Sequence, residues 1–278
     1  MQTAPATDPL IAAAIHPTAV VDPAARLGAG VEVGPYAVIG PDVELGDGCR
    51  IGPHVVIEGR VRLGRGNRVF PGACIGQEPQ DLKYAGDPTE VVIGDDNTIR
   101  ECVTINRATA GEERTELGSG NLLMAYSHIG HNCLLGDRIV IANGVAVAGH
   151  VVIGDRAVIG GVLGIHQFVH IGAMAMVGGM SRVDRDVPPF TMVEGHPGRL
   201  RGLNKLGIRR SGLADLDGGA QLRQLQQLWT MLYRSDRVLA EALLAARELE
   251  LTEAGEQLVG FLEASTGPGR RGPLPPQR

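Results

Sequence analysis

Aromatic residues make up only 3% of this 278-residue chain: four Phe, four Tyr and one Trp. A core packed around rings, the usual arrangement in a globular enzyme, is therefore excluded. Cysteine is sparse as well. Cys49, Cys74, Cys102 and Cys133 are widely spaced and form no CxxC pair, which predicts reduced, buried thiols in a cytoplasmic protein. No apolar run approaches the length of a membrane span, and the first residues lack the basic stretch and apolar run of a secretory signal. Positive charge is not in excess either: the formal net charge of -5 argues against general nucleic-acid binding.

What the chain does have is glycine, 40 residues of it, and aliphatic residues in a fixed rhythm. Stepping six at a time from Ile15 to Val183, 26 of 29 positions are Ile, Leu or Val, the exceptions being Asp81, Asp87 and Gly111. Six fits neither an amphipathic helix nor an alternating strand. It fits a mainly β fold, a parallel β-helix of hexapeptide repeats, in which three short strands and three turns make a triangular coil of 18 residues. The aliphatic anchor points into the prism and glycine permits the tight corner. Each coil buries its apolar side only against its neighbours. Residues 15–190 form this domain, with about nine or ten coils, after a short extension at 1–14.

Two polar segments replace expected anchors, QDLKYAGDPTE (80–90) and TAGEERTE (109–116). A loop extruded from a coil often carries function; the second segment reads more simply as a tolerated insertion. After VPPF the pattern changes to helical spacing, with Ser235 and Thr252 as expected N-caps. Residues 191–265 are read as a small helical domain and the Gly/Pro/Arg-rich 266–278 as a disordered tail.

The 18-residue coil turns sequence into geometry. Residues 18 apart stack at about 4.8 Å, so His131 lies under Gly149, which lies under Gln167. SHIGHNC, VAGHVV and GIHQFV then share one corner, gathering His128, His131, His150 and His166. An imidazole takes a proton from a hydroxyl at neutral pH. A bare glycine backbone one rung away brings an N–H to where an oxyanion forms. His131 as general base and the Gly149 N–H as oxyanion donor point to acyl transfer from an activated ester to an alcohol or amine. Residues 182–210 add a basic face, seven Arg or Lys against Asp184, Asp186 and Glu194, suited to phosphates or an acidic carrier protein.

The ordered series QDLKYAG, SHIGHNC, AGH, HQF, VGG, DVPP and LNKLGIRRSG resembles the UDP-N-acetylglucosamine O-acyltransferase family from about residue 15 to 265. The resemblance implies a left-handed prism, a homotrimer, no metal and no bound cofactor. It implies transfer of a 3-hydroxyacyl chain from the phosphopantetheine arm of acyl carrier protein to the glucosamine 3-hydroxyl, the first step of lipid A synthesis. His131 and Gly149 take the roles given above. Gln80, Asp81 and Lys83 would hold the sugar; His128, His150, His166 and Gln167 would line the cleft. Asn204, Arg209 and Arg210 would meet the carrier arm or the nucleotide phosphates. Gly179, stacked with Asn143 and Gly161, would leave the acyl groove open to a chain of about fourteen carbons, with Met174, Met176 and Met180 nearby. Asn132, Asn106 and Leu206 depart from the family's pattern.

Four other readings stand beside this one: the N-acyltransferase of the same pathway, an acyl-CoA-dependent hexapeptide enzyme, a metal site and a trimeric scaffold. The N-acyltransferase carries a further domain ahead of its prism. The metal reading follows γ-class carbonic anhydrases, which use this scaffold with ligands five apart; the pair here is three apart.

Overall fold

The computed structural model describes residues 12–277, so most of the expected N-terminal extension lies outside the described residues. The chain winds as a left-handed parallel β-helix with three faces. Face one runs from Ala14–Ile15 to Met176–Val177 and is extended by Thr191–Glu194 and Arg199–Leu203. Face two runs from Val20–Val21 to Arg182–Val183, and face three from Arg26–Leu27 to His170–Ile171. Over most of the stack, coil lies on coil in a register of 18, as in His128↔Ala146 and Leu134↔Val152. Eight coils have all three strands. The ninth closes through an isolated Ile171↔Val187 bridge, and Thr191–Glu194 adds a tenth rung to face one.

The hexapeptide code has a simple physical content. The anchor column faces inward and is essentially dry from Val33 to Val183, and the residue four places on (Ala37, Val55, Ala73, Val103, Val145) fills the corner behind it. The residue two places after the anchor sits in the turn, where its N–H finds no ladder partner. Proline, which has no N–H to leave unpaired, fills that place at Pro17, Pro23, Pro35, Pro41, Pro53 and Pro71. His131 and Gly149 occupy the same place on later coils.

Two coils are longer than 18. Leu63 pairs with Ile93 and Ile93 with Leu117, spacings of 30 and 24, so 12 and 6 residues are extruded. Both insertions leave between face two and face three, at the corner where His131 lies. A buried ladder of Asn67, Asn97 and Asn121 at the corner between faces three and one keeps the stack continuous through these long coils. Each carboxamide oxygen accepts the backbone N–H of the next rung, ending on Ile139.

The helical domain starts later than the composition suggests. Residues 191–203 form an antiparallel pair that continues face one, because Val193 and Leu200 are buried in the prism core while Leu203 joins the core under the helices. Four helices follow, α1 (Lys205–Arg210), α2 (Ala220–Tyr233), α3 (Leu239–Arg247) and α4 (Glu253–Ser265), closing over a second core around Leu225, Leu228, Leu258 and Leu262. Thr252 caps α4 through Gly255 N–H. Ser235 caps nothing: its hydroxyl donates back to the Met231 carbonyl, and Val238, at the N-cap of α3, offers no side-chain cap.

The expected disordered tail is ordered up to Gln277. Arg270 makes two 2.7 Å hydrogen bonds to buried Asp186, which also accepts from Ser265 Oγ and His170 N–H. Leu274 is buried in the main core, and Pro273 and Pro276 bridge to Asp186 and Leu200. Composition favoured disorder; a buried carboxylate in need of a cation pins the segment down.

Candidate active site

His131 stands at the corner between faces two and three, with the tip of its imidazole packed close against Gly149. A Cβ on Gly149 would fall 2.3 Å from His131 Nε2, so only glycine lets the ring reach this close. The next rung is tied down by the His150 N–H, which donates to the His131 carbonyl at 2.9 Å. The Gly149 N–H itself has no acceptor among the described residues. A proton acceptor and an unpaired N–H donor thus share one small space.

The ladder around them is aromatic. His150 meets His131 edge-on at 5.1 Å and stacks on Phe168 at 4.7 Å. Asn132, His150 and Phe168 all hold positive φ (60°, 59° and 66°) at this corner, a conformation that costs on the order of 1–3 kcal/mol each. Burial, and then the neighbouring His131, lowers the pKa of both His128 and His150 below the usual imidazole value. Both are therefore neutral at physiological pH. His128 Nδ1 is fixed 2.7 Å from Thr104 Oγ1.

The two extruded segments close the site. Asp81, from the first, brings Oδ2 to 3.8 Å from His131 Nε2; the Lys83 backbone N–H, bonded to its other oxygen, lowers its pKa. Gln80 and Lys83 are exposed beside it. Arg107 anchors this loop through the Gly76 carbonyl and Tyr84 hydroxyl, and Asn106, one of the departures from the family's pattern, donates to the Glu78 carbonyl. The second segment, expected to be a tolerated insertion, supplies Thr109, whose Oγ1 lies 2.9 Å from His131 Nδ1 and 3.4 Å from Asp81. Sequence reading missed Thr109 because the register resumes only after the loop.

Neighbouring chemistry narrows the options. Cys133, two residues from His131, is a poor nucleophile: burial pushes its thiol up to about 12. Among the described residues no three His, Cys, Asp or Glu side chains converge as a metal site. His131 and His150 meet edge to face, and His131 Nδ1 already faces Thr109 and Asn132.

Other expected residues lie elsewhere. His166 and Gln167 share the His131 corner, and His166 Nδ1 lies 2.9 Å from Arg271 of the ordered tail, a neighbour that sequence reading missed. Gly179 sits with Asn143 and Gly161 at the corner between faces one and two; a Cβ on it would meet the Gly161 carbonyl oxygen at 3.2 Å. Only Met180 stands beside it, since Met174 and Met176 line a groove under α1 with Arg138, Arg156, Leu206 and Arg210. Asn204 is committed to structure, accepting from Gly207 N–H and donating to the Met174 carbonyl. Arg209 and Arg210 are exposed on α1 at the corner between faces three and one. The rest of the basic segment is partly neutralised: Arg182 pairs with Asp184 and Arg201 with Glu194.

The C-terminal region, residues 186–273, matches the family model described as Udp N-acetylglucosamine O-acyltransferase; Domain 2, and residues 24–59 match the bacterial transferase hexapeptide model. A curated acyl-[acyl-carrier-protein]–UDP-N-acetylglucosamine O-acyltransferase of Alkalilimnicola ehrlichii is 50% identical over 254 residues, covering 90% of this chain and 96% of the relative. The chain belongs to the UDP-N-acetylglucosamine O-acyltransferase family. The O-acyltransferase of Rippkaea orientalis is 57% identical over 206 residues, 74% of this chain and 73% of that one. Among solved structures, the acyltransferase from Campylobacter jejuni superposes with a TM-score of 0.86 at 36% identity, covering 95% of this chain and all of the other. That from Francisella novicida gives 0.88 at 34%, with 95% and 94% covered. The family therefore spans prism and helical domain together.

Proposed function

We propose that this protein transfers a 3-hydroxyacyl group from acyl carrier protein to the 3-hydroxyl of UDP-N-acetylglucosamine, the first step of lipid A synthesis, in the cytoplasm. The observation that carries the reading is the His131 imidazole lying against the bare Gly149 backbone. The sugar hydroxyl oxygen attacks the thioester carbonyl carbon as His131 Nε2 takes its proton, and the Gly149 N–H stabilises the resulting oxyanion. The tetrahedral intermediate collapses, the C–S bond breaks, and the imidazolium returns its proton to the departing thiolate. Asp81, 3.8 Å from Nε2, favours the imidazolium and is a candidate to orient the sugar with Gln80 and Lys83. His128 and His150, neutral at physiological pH, line the cleft as hydrogen-bonding groups, with His166 and Gln167 further along. No step calls on a metal or a resident cofactor.

Arg209 and Arg210, unpaired among the described residues, suit phosphates or the acidic carrier. The distribution of these residues supports a homotrimer. The base and oxyanion donor, Gly179, and the α1 arginines occupy three different corners of one prism. Prisms packed side by side about a threefold axis set one chain's base corner against another chain's remaining corners. The four free cysteines agree with a reducing compartment.

Incubation with UDP-N-acetylglucosamine and a series of 3-hydroxyacyl carrier proteins, with the matching coenzyme A esters in parallel, tests this by mass spectrometry. The expected product is the 3-O-acylated sugar nucleotide, formed from the carrier-protein donors. His131→Ala is expected to lose at least about 1000-fold in kcat while still eluting with the mass of three chains; turnover near native in that variant refutes the assignment.

A further inference from the structure

Asn132 follows His131, and its surroundings bring a carboxylate to it from the second extruded segment. Its side-chain oxygen lies 2.8 Å from His131 Nδ1 and accepts the Thr109 N–H at 3.1 Å. Its side-chain nitrogen donates to Glu113 Oε2 at 2.6 Å. These partners allow one amide orientation only. A backbone N–H can only donate and a carboxylate only accept, so a flipped carboxamide would oppose both.

With the oxygen fixed on Nδ1, the imidazole has one productive tautomer. Thr109 Oγ1, which donates towards Asp81, also turns an acceptor lone pair to Nδ1 at 2.9 Å. Two acceptors on Nδ1 require the proton to reside there, which leaves the Nε2 lone pair free for the hydroxyl.

We propose that Glu113 is a positioning residue for the base: through Asn132 it holds His131 as the Nδ1–H tautomer and places a remote negative charge behind the developing imidazolium. The inference rests on His131 acting as the base in the acyl transfer above. It also gives the second extruded segment a use, since Thr109 and Glu113 both come from it. The other charged or titratable groups near His131 are Asp81 and Lys83 from the first extruded segment, His128 from the same coil and His150 from the next. None of these contacts Asn132 among the described residues.

The test is a set of variants assayed for kcat and KM across pH. Glu113→Ala removes the acceptor from an exposed loop side chain, so folding is expected to be native while kcat falls about tenfold and KM stays within twofold. Asn132→Asp sets a second carboxylate against Glu113 and is expected to lose at least as much. The double variant Asn132→Asp with Glu113→Gln restores a donor–acceptor pair in the opposite sense. It should regain at least fivefold over Asn132→Asp alone, with the acidic limb of its kcat/KM profile raised by about one unit, because a full carboxylate now touches Nδ1. A Glu113→Ala enzyme with native kcat, or a double variant no better than Asn132→Asp, overturns the proposal and leaves the acyl-transfer reading intact. Native turnover in His131→Ala instead removes that reading, and this inference with it.

Discussion

A methyl group on Gly149 would lie 2.3 Å from His131 Nε2, far inside van der Waals contact, so the ring must swing off its position for any side chain to fit there. Gly149→Ala is expected to lower kcat by about 100-fold or more, the scale of losing a positioned proton acceptor, with a urea midpoint close to native; stopped-flow or steady-state assays beside an unfolding curve check both. The neutral histidines carry a second consequence. The folded-state pKa of His128 is lowered by burial and then by its neighbour His131, and that of His150 similarly, from an ordinary value of 6.5. The unfolded chain therefore binds more protons than the native one between the lowered value and 6.5, and stability rises with pH through that window. The protein should unfold at lower urea at pH 5.5 than at pH 7.5. His128→Gln should flatten the dependence, read from midpoints at the two pH values.

At the scale of elements, the six-residue rhythm was legible because every anchor meets the same environment: the prism interior, a corner, and a copy of itself above and below. Each strand is only two to four residues long for most of the stack, too short for local propensity to specify, yet the register is constant. The two extruded loops showed in the sequence as missing anchors, but nothing in the sequence said that both would face His131. That follows from where in the coil they leave. The C-terminal segment misled for the opposite reason. Glycine, proline and arginine read as disorder, whereas Arg270 meets Asp186, 84 residues away in sequence. The Asp186 side chain is only 5% exposed, and taking away its cation leaves a buried carboxylate without compensation. Arg270→Ala is expected to cost about 3 kcal/mol, seen as a lower urea midpoint, and to expose the chain after Ser265 to limited proteolysis.

For the whole molecule, the three corners divide the labour. His131 and Gly149 lie at one, Asn143, Gly161 and Gly179 at another, and the α1 arginines at the third, so under the proposed function no single corner of one prism would hold the complete site. Gly179 lies exposed, and a Cβ there meets only the Gly161 carbonyl and amide nitrogen, so a side chain is tolerated by the fold and projects outward. Gly179→Met is expected to move donor preference from chains of about fourteen carbons to shorter ones by at least tenfold in relative kcat/KM, measured by competition between carrier-protein donors; an unchanged preference removes Gly179 from the acyl groove.

The sequence by itself determined the prism, its coil spacing and the meeting of His131 with Gly149, because an 18-residue repeat fixes which residues stack as surely as a ruler. It determined the family through motifs strung along that repeat. Only the tertiary structure decided which atoms touch Nδ1 of the base, how Asn132 is turned, that residues 191–203 continue face one as a strand pair, and that the tail is held. Those outcomes depend on loops that leave the repeat and on a buried carboxylate that selects its cation across the fold, and neither follows the period that made the rest readable.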